Sequence, residues 1–245
     1  MKKIEELVEN VKKYHDTMKQ IDFKSKKNTV SYVTIDDKPR VLKWYVPGLK
    51  NNMKNEYNIL KKGSSKLDIP KPFELDEENN VIVMHYIMGE NLCDIVNDEN
   101  TTFAEKERLI IFLAEWFVQF HSFFKDESGF IIRGDSTLRN FILTDKIWGV
   151  DFEESRHGKP IEDIAGMCAS ILSTDPMFTS EKFKLCQKFI ESYSKKATWN
   201  ITDVNNEISY AILERIQWRP DQEETLRKYS KKIRDKNHKN LLNIR

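Results

Sequence analysis

Five side chains in this sequence have the types and spacing to handle a phosphate and a divalent cation. They are Lys43 in VLKWY, Glu56 in NEYNIL, Asp135 and Asn140 in IIRGDSTLRNFIL, and Asp151 in GVDFEES. Phosphoryl transfer asks a protein mainly for positioning and charge neutralisation. It needs a cation on the donor phosphates, oxygen ligands for magnesium, and a carboxylate to orient the attacking hydroxyl. Asp135 precedes Asn140 by five residues, and Asp151 follows eleven residues later. A loop–strand–turn–strand reading of that span brings the three to one end of a hairpin. Two carboxylates and an amide there make a hard-oxygen magnesium site with one carboxylate left for the substrate.

Each residue also has a plainer reading. Lys43, mid-strand, reads equally well as the polar member of an alternating strand, and Glu56 alone as an ordinary helical glutamate. Asp135, Asn140 and Asp151 taken singly are turn caps. The Arg-Gly-Asp tripeptide inside the loop also matches an adhesion motif, but nothing in the chain supports secretion. It is the combination of Lys43, Glu56 and the Asp135–Asn140–Asp151 spacing that turn chemistry does not account for. Glu56 on a helix after the Lys43 strand supplies the counter-charge that a buried ammonium requires.

The elements that must hold these groups follow from pattern. Residues 1–20 place Ile4, Leu7, Val8, Val11, Tyr14 and Met18 at helical spacing. TVSYVTIDDKPRVLKWYV reads as a hairpin with strands at about 29–35 and 40–46 and a turn at Asp36–Pro39. KNNMKNEYNILKKG is a helix stopped by Gly63, and VIVMHYI a buried strand after the acidic turn LDEENN. A strand-like hinge near His85–Glu90 then leads to a mostly helical half. Its central helix is TTFAEKERLIIFLAEWFVQFHSFF, capped by Thr102 or Thr101. NFIL and WGVDF are two short strands around TDK, and the chain is helical from Pro160. The expectation is an α+β, two-lobed architecture: residues 1–88 as a small sheet lobe, residues 89–245 as a helical lobe.

Composition excludes several classes. At 245 residues with 39% hydrophobic and 32% charged residues, the chain is long enough for a real core and is not of disordered type. Three scattered cysteines, Cys93, Cys168 and Cys186, form no CxxC pair. That argues against a disulfide framework or a zinc site and for a reducing compartment. The charged N-terminus lacks a signal-peptide apolar segment and no window reaches a membrane span, so a cytoplasmic protein without a membrane partner is expected. Net charge is only +1, but residues 227–245 carry eight Lys/Arg against Asp235. A basic end suits a phosphate-rich partner, and suits a solvated helix face equally well.

The same residues carry a family resemblance. IRGDSTLRNFIL resembles the His-Gly-Asp-x-x-x-x-Asn catalytic loop of the atypical protein-kinase-like superfamily: RIO kinases, the KEOPS-complex kinase and aminoglycoside-phosphotransferase-like enzymes. GVDFEES resembles its metal-binding segment, VLKWY and EYNIL its lysine strand and glutamate helix, and VIVMHYIMGENL its hinge. The resemblance runs from about residue 25 to 170, and the loop and metal segments are its most specific parts. It implies a kinase using ATP (or GTP) and Mg2+. Asp135 would orient the acceptor hydroxyl, Asn140 and Asp151 would hold magnesium, and Lys43, paired with Glu56, would contact the α- and β-phosphates. Asp163 would brace the catalytic loop. The backbone of His85, Tyr86 and Ile87 would meet the nucleobase, with Val41 and Ile142 on its two faces.

Three departures stand out. No glycine precedes Gly48, and KSKKNTVSY fills the place of a Gly-rich phosphate loop. It resembles the RIO-type loop, in which Ser25, Lys26 or Lys27 would reach phosphates. Arg133 stands where the loop histidine is expected. Only a short stretch separates Asp151 from Asp163, too short for an activation segment with an Ala-Pro-Glu motif. Arg139, directly before Asn140, is placed to steady the transferring phosphoryl group, or is simply an exposed loop arginine.

The acceptor is less legible than the reaction. An RNA ribose hydroxyl is favoured, through the basic C-terminal segment with Lys2, Lys3, Lys12 and Lys13, and through Trp199, Trp218 and Arg219, although a core tryptophan is the commoner case. A small archaeal RNA kinase acting on a tRNA 2′-hydroxyl has this size and layout. A RIO/KEOPS-type Ser/Thr protein kinase, an aminoglycoside- or choline-type small-molecule kinase and a pseudokinase scaffold are the alternatives. No DNA specificity is expected.

Overall fold

A computed structural model describes residues 18–23, 27–35 and 37–235, for 18–23 the backbone alone. Ser25, Lys26, the helix read at 1–17 and the basic residues beyond Asp235 lie outside the described residues. Chain contacts divide the protein into two compact units. The first is the chain up to Met88 together with Val150–Glu154; the second is Gly89–Gly149 with Ser155 onward.

In the first unit, β1 (Met18–Phe23), β2 (Thr29–Ile35), β3 (Lys38–Trp44), β4 (Pro72–Asp76) and β5 (Val81–His85) form one antiparallel sheet in the order β1-β2-β3-β5-β4. The helical reading of residues 18–20 is therefore corrected: Met18 and Lys19 pair with Thr34 and Val33. The hairpin strand begins at Lys38 rather than at 40, because Ile35 pairs with Lys38 across a tight turn in which Asp37 has φ 56°. Pro39 is tolerated there since its partner on β2 is Thr34 and the β5 pairing begins only at Arg40, so its missing N–H breaks no ladder bond. Val33, Leu42, Trp44, Val81 and Val83 form a buried apolar cluster on one face of the sheet. Val41 and Lys43 alternate onto the other face, opposite Met84 and Ile82. Helix α1 (Lys50–Gly63) buries Met53, Glu56, Ile59 and Leu60, and ends at the predicted glycine.

The second unit begins with β6 (Glu90–Asn91) and α2 (Leu92–Asn97), neither legible from pattern. Helix α3 (Phe103–Phe123) starts with a capping box between Thr102 and Glu105 and buries Leu109, Ile110, Leu113, Trp116, Phe117 and Phe120. Strands β7 (Phe130–Ile132), β8 (Phe141–Leu143), β9 (Ile147–Gly149) and β10 (Arg156–Gly158) are three residues each. β7 pairs with β10, and β8 lies between β6 and β9. Val150–Phe152, read from sequence as strand, is not: Asp151 turns the chain with φ 64°, which ends the extended run. Helices α4 (Pro160–Ser173), α5 (Ser180–Lys196), α6 (Val204–Glu214) and α7 (Glu223–Arg234) complete the unit. α3 packs on α5, α4 on α6, and α6 on α7. α4 is buried almost throughout, so it is the element around which the unit is built. Among the described residues no helix is long and apolar enough to cross a membrane, and Cys93, Cys168 and Cys186 are free thiols.

Candidate active site

The first unit assembles a buried cation inside a carboxylate cluster. β3 delivers Lys43 and α1 delivers Glu56; their Nζ and Oε2 atoms lie 2.6 Å apart, and both side chains are buried. Lys43 also meets Asp151 Oδ1 at 2.7 Å and Glu153 at 3.2 Å. Tyr45, two residues along the same strand, donates its hydroxyl to Glu56 Oε2, and the Phe152 N–H donates to Glu56 Oε1 at 3.2 Å. Glu56 is thus the joint between the lysine strand and the Asp151 segment. Asn52 and Asn55, on the same helix, add amide bonds to the Glu153 carbonyl at 3.2 and 3.3 Å.

Burial alone would pull the Lys43 ammonium down. The charges of Glu56, Asp151 and Glu153 outweigh it and hold the ammonium above its ordinary range. Burial pushes the Tyr45 phenol up, and the Glu56 charge pushes it further, so it remains a donor. Burial also raises the Glu153 carboxyl; Lys43 opposes this, and Asp151 and Glu56 add to it. Glu56, Asp151 and Glu153 are close enough for their oxygens to share one cation. Asp151 is the accessible member, 39% exposed against 1% for Glu56 and 7% for Glu153. Its left-handed backbone is one that aspartate tolerates better than bulkier residues.

Of the other residues expected here, Lys27 bonds Glu154 at 2.5 Å, and neighbouring Asn28, buried, donates its amide to Glu153. Val41, Tyr86 and His85 are partly buried and Ile87 is buried. The His85 N–H is already engaged by the Lys71 carbonyl at 2.9 Å. The Tyr86 ring packs against that of Tyr32 in a tilted arrangement, ring centres 4.5 Å apart.

The second unit builds the loop that carries Asp135 and Asn140. Gly134 sits at φ 80°, where a side chain would be strained. The buried Asp163 carboxylate of α4 accepts the backbone N–H groups of Arg133 at 2.7 Å and Gly134 at 3.1 Å, and the Ser136 hydroxyl at 2.8 Å. His121 Nε2 of α3 completes the set at 3.0 Å. His121 Nδ1 lies 2.9 Å from the Tyr193 hydroxyl, which accepts the Trp199 indole N–H at 2.9 Å. His121 thus bridges the Tyr193 hydroxyl and the Asp163 carboxylate through its two ring nitrogens. Burial would raise the Asp163 carboxyl, but the His121 bond and the loop donors outweigh it and hold it below its ordinary value.

Within this loop Asp135 is exposed, and the Asn140 amide donates to its carbonyl at 3.1 Å and to its carboxylate at 3.2 Å. In both bonds the Asn140 nitrogen is the donor, so its side-chain oxygen takes no part in them and is of a type that suits a hard cation. Arg139 is exposed, and its carbonyl accepts the Asn91 amide at 2.8 Å. Ile142 is partly buried in β8, opposite Asn91 and Trp148. Arg133, the unexplained departure, is fully buried. Its guanidinium lies over the Phe141 ring at 4.7 Å and the Trp116 ring at 5.3 Å. A Cβ on Gly149 would come within 2.4 Å of Trp116 and 2.8 Å of Arg133 Nη1, so that glycine makes the room this arginine occupies.

Sequence reasoning missed Tyr45, Asn28 and the His121–Tyr193–Trp199 chain. Nothing in their spacing marks them, because their partners lie far away in the chain. Glu153 was visible only as the third letter of the Asp-Phe-Glu segment.

No family model matches the chain. It is 30% identical over 127 residues to a protein of Methanococcus vannielii named as a probable bifunctional tRNA threonylcarbamoyladenosine biosynthesis protein; the match covers 51% of this chain and 21% of that one. It is 34% identical over 125 residues to the EKC/KEOPS complex subunit BUD32 of Enterocytozoon bieneusi, covering 47% of this chain and 58% of that one. The chain therefore spans about a fifth of the first relative and somewhat over half of the second. Among solved structures, the streptomycin–ATP–APH(2'')-IIa ternary complex aligns over 94% of this chain and 97% of its own, with a TM-score of 0.63 at 13% identity. The fold is that of the atypical kinase-like structures: a small antiparallel sheet followed by a helical part.

Proposed function

We propose, for a chain with this kinase-like fold, that it is a magnesium-dependent kinase transferring the γ-phosphate of ATP (or GTP) to a hydroxyl, with an RNA ribose hydroxyl as the favoured acceptor. The observation that carries the reading is Lys43, a buried ammonium held at 2.6 Å by Glu56 and at 2.7 Å by the accessible Asp151. A lysine fixed by a helix carboxylate beside an Asp-Phe-Glu segment is what the donor phosphates of a kinase require. In this reading Lys43 meets the phosphates, and Asn140 and Asp151 hold the metal. Magnesium, when bound, neutralises charge on the phosphates. Asp135 orients the acceptor hydroxyl and takes up its proton, and Asp163 keeps the loop in shape. Lys27, with Ser25 and Lys26, contributes cationic and hydroxyl groups at the phosphate loop; a basic loop neutralises charge without the cradle of N–H groups that glycines allow. The names of the sequence relatives, both tied to tRNA modification or to KEOPS, support a tRNA acceptor and also the second reading, a KEOPS-type Ser/Thr protein kinase.

The test is incubation with γ-labelled ATP or GTP and magnesium, offering total tRNA, a generic protein and an aminoglycoside in parallel. Label is expected in tRNA. Label in protein alone selects the second reading, and label in none refutes the kinase assignment. Asp135→Ala is expected to abolish transfer in a folded protein; retained transfer would remove Asp135 from its role.

A further inference from the structure

Helix α4 holds more than the Asp163 brace. Its residues Gly166, Ser170 and Ser173 recur at helical spacing along one face. A Cβ on Gly166 would lie 3.5 Å from Ser136, and Ser170 Oγ accepts the Leu138 N–H at 3.0 Å, so this face abuts the Asp135–Asn140 loop. Two arginines, Arg215 in the 3-10 turn after α6 and Arg219 just past it, are fixed to backbone carbonyls of the same helix. Arg215 Nη2 donates to Gly166 O at 3.0 Å, and Arg219 Nη1 donates to Ser173 O. Ser173 is the last residue of α4, so its carbonyl is one the helix itself leaves open. Both guanidiniums are therefore tied to the element that shapes the loop.

Neither guanidinium forms an ion pair with a carboxylate among the contacts described above. Burial pulls the Arg215 guanidinium down to about 10, Arg219 pulls the same way, and Asp135 and Glu214 oppose them. Arg215 Nε is buried and has no hydrogen-bond partner among the described residues. The loop arginine is tied to the segment of the buried Cys93 through Asn91, whose amide donates to the Arg139 carbonyl at 2.8 Å and whose side-chain oxygen accepts the Cys93 N–H at 3.0 Å. Burial pushes the Cys93 thiol up, and the charges of Arg139 and Arg219 both oppose that rise. Trp218, between the two arginines in sequence, is 58% exposed. A buried N–H without a partner, among cations, favours an anion that accepts several hydrogen bonds. Guanidinium forks match phosphate oxygens, and an exposed indole beside them matches a nucleobase.

We infer that Arg215, Arg219 and Arg139, with Trp218, form an acceptor-side subsite for a backbone phosphate and adjoining base of a polynucleotide, beside Asp135. The inference rests on the kinase reading above and assigns it specific acceptor contacts.

The test uses the full chain and fluorescein-labelled total tRNA, with anisotropy followed from low to moderate KCl. Arg219→Gln is expected to weaken tRNA binding about 10-fold and to flatten the salt dependence by about 0.7–0.9 in log–log slope, the loss of one phosphate contact. Trp218→Ala is expected to weaken binding several-fold with the slope unchanged, as for a stacking contact. A rise in Tm on adding ATP and magnesium is read in each protein as a check of folding and donor binding. Wild-type affinity and slope in both variants would overturn the subsite. Equal affinity of wild type for polyglutamate would overturn its nucleotide character. Failure of wild type to gain Tm with ATP and magnesium would instead strike the kinase reading, so the two failures are distinguishable.

Discussion

The Asp163 carboxylate receives the Arg133 N–H at 2.7 Å, while the Arg133 side chain lies fully buried against Phe141 and Trp116. One residue thus fixes the loop twice, by its backbone to α4 and by its side chain to the aromatic core of α3 and β8. That accounts for an arginine at a position where the catalytic loops this one resembles have histidine. The position here is a core anchor, and the imidazole that touches Asp163 comes from His121 on α3.

Asp163→Asn should cost about 3 kcal/mol at neutral pH, because the loop donors lose a buried charged acceptor. The folded Asp163 carboxyl lies below its ordinary value of 3.8, so its contribution is present above that value and is lost as pH falls through the folded pKa. Urea unfolding of both proteins should show a gap at pH 7 that narrows below about pH 4. A gap independent of pH would remove the charge from the account.

Lys43→Met should destabilise the first unit by about 3 kcal/mol at pH 8, since it leaves Glu56, Asp151 and Glu153 without their shared cation. Burial and the neighbouring carboxylates already push the Glu153 carboxyl up, and in the variant Lys43 no longer opposes them, so stability should rise as pH falls. The penalty should therefore shrink between pH 8 and pH 5. Thermal melts across that range provide the measurement, and a constant penalty would argue against carboxylate repulsion.

Gly149→Ala should lower stability by about 1–3 kcal/mol, because its Cβ would collide with Trp116 and the Arg133 guanidinium. Denaturant melts read this directly. An unchanged midpoint would mean that this part of the core shifts freely.

Asn140→Ala should change stability by less than about 1 kcal/mol, since its amide bonds are solvent-accessible. Within the proposed function it should raise the magnesium concentration needed for half-maximal transfer. A magnesium titration unchanged from wild type would remove Asn140 from the metal site.

Much of the fold was readable where elements are long or strongly patterned. The α1 boundaries, the Thr102 cap and the β2–β3 hairpin follow from helix period, capping chemistry and alternation. β7, β10 and α2 were not readable, because three to six residues hold too little period to separate from loop. In the site, Lys43 meets Glu56 as the strand–helix order implied, and Asp163 braces the loop as the resemblance implied. Tyr45, His121 and Tyr193 were silent because what they do depends on partners brought close only by packing. Residues 18–20 misled: their apolar spacing continues the preceding pattern, yet pairing with β2 gives them extended structure.

The chain Trp199–Tyr193–His121–Asp163 joins an indole to the loop through three successive hydrogen bonds. It therefore serves as a built-in optical reporter. An event at the loop that shifts His121 and Tyr193 changes what the indole N–H touches, so emission assigned to Trp199 by difference from a Trp199→Phe protein would register it without a label.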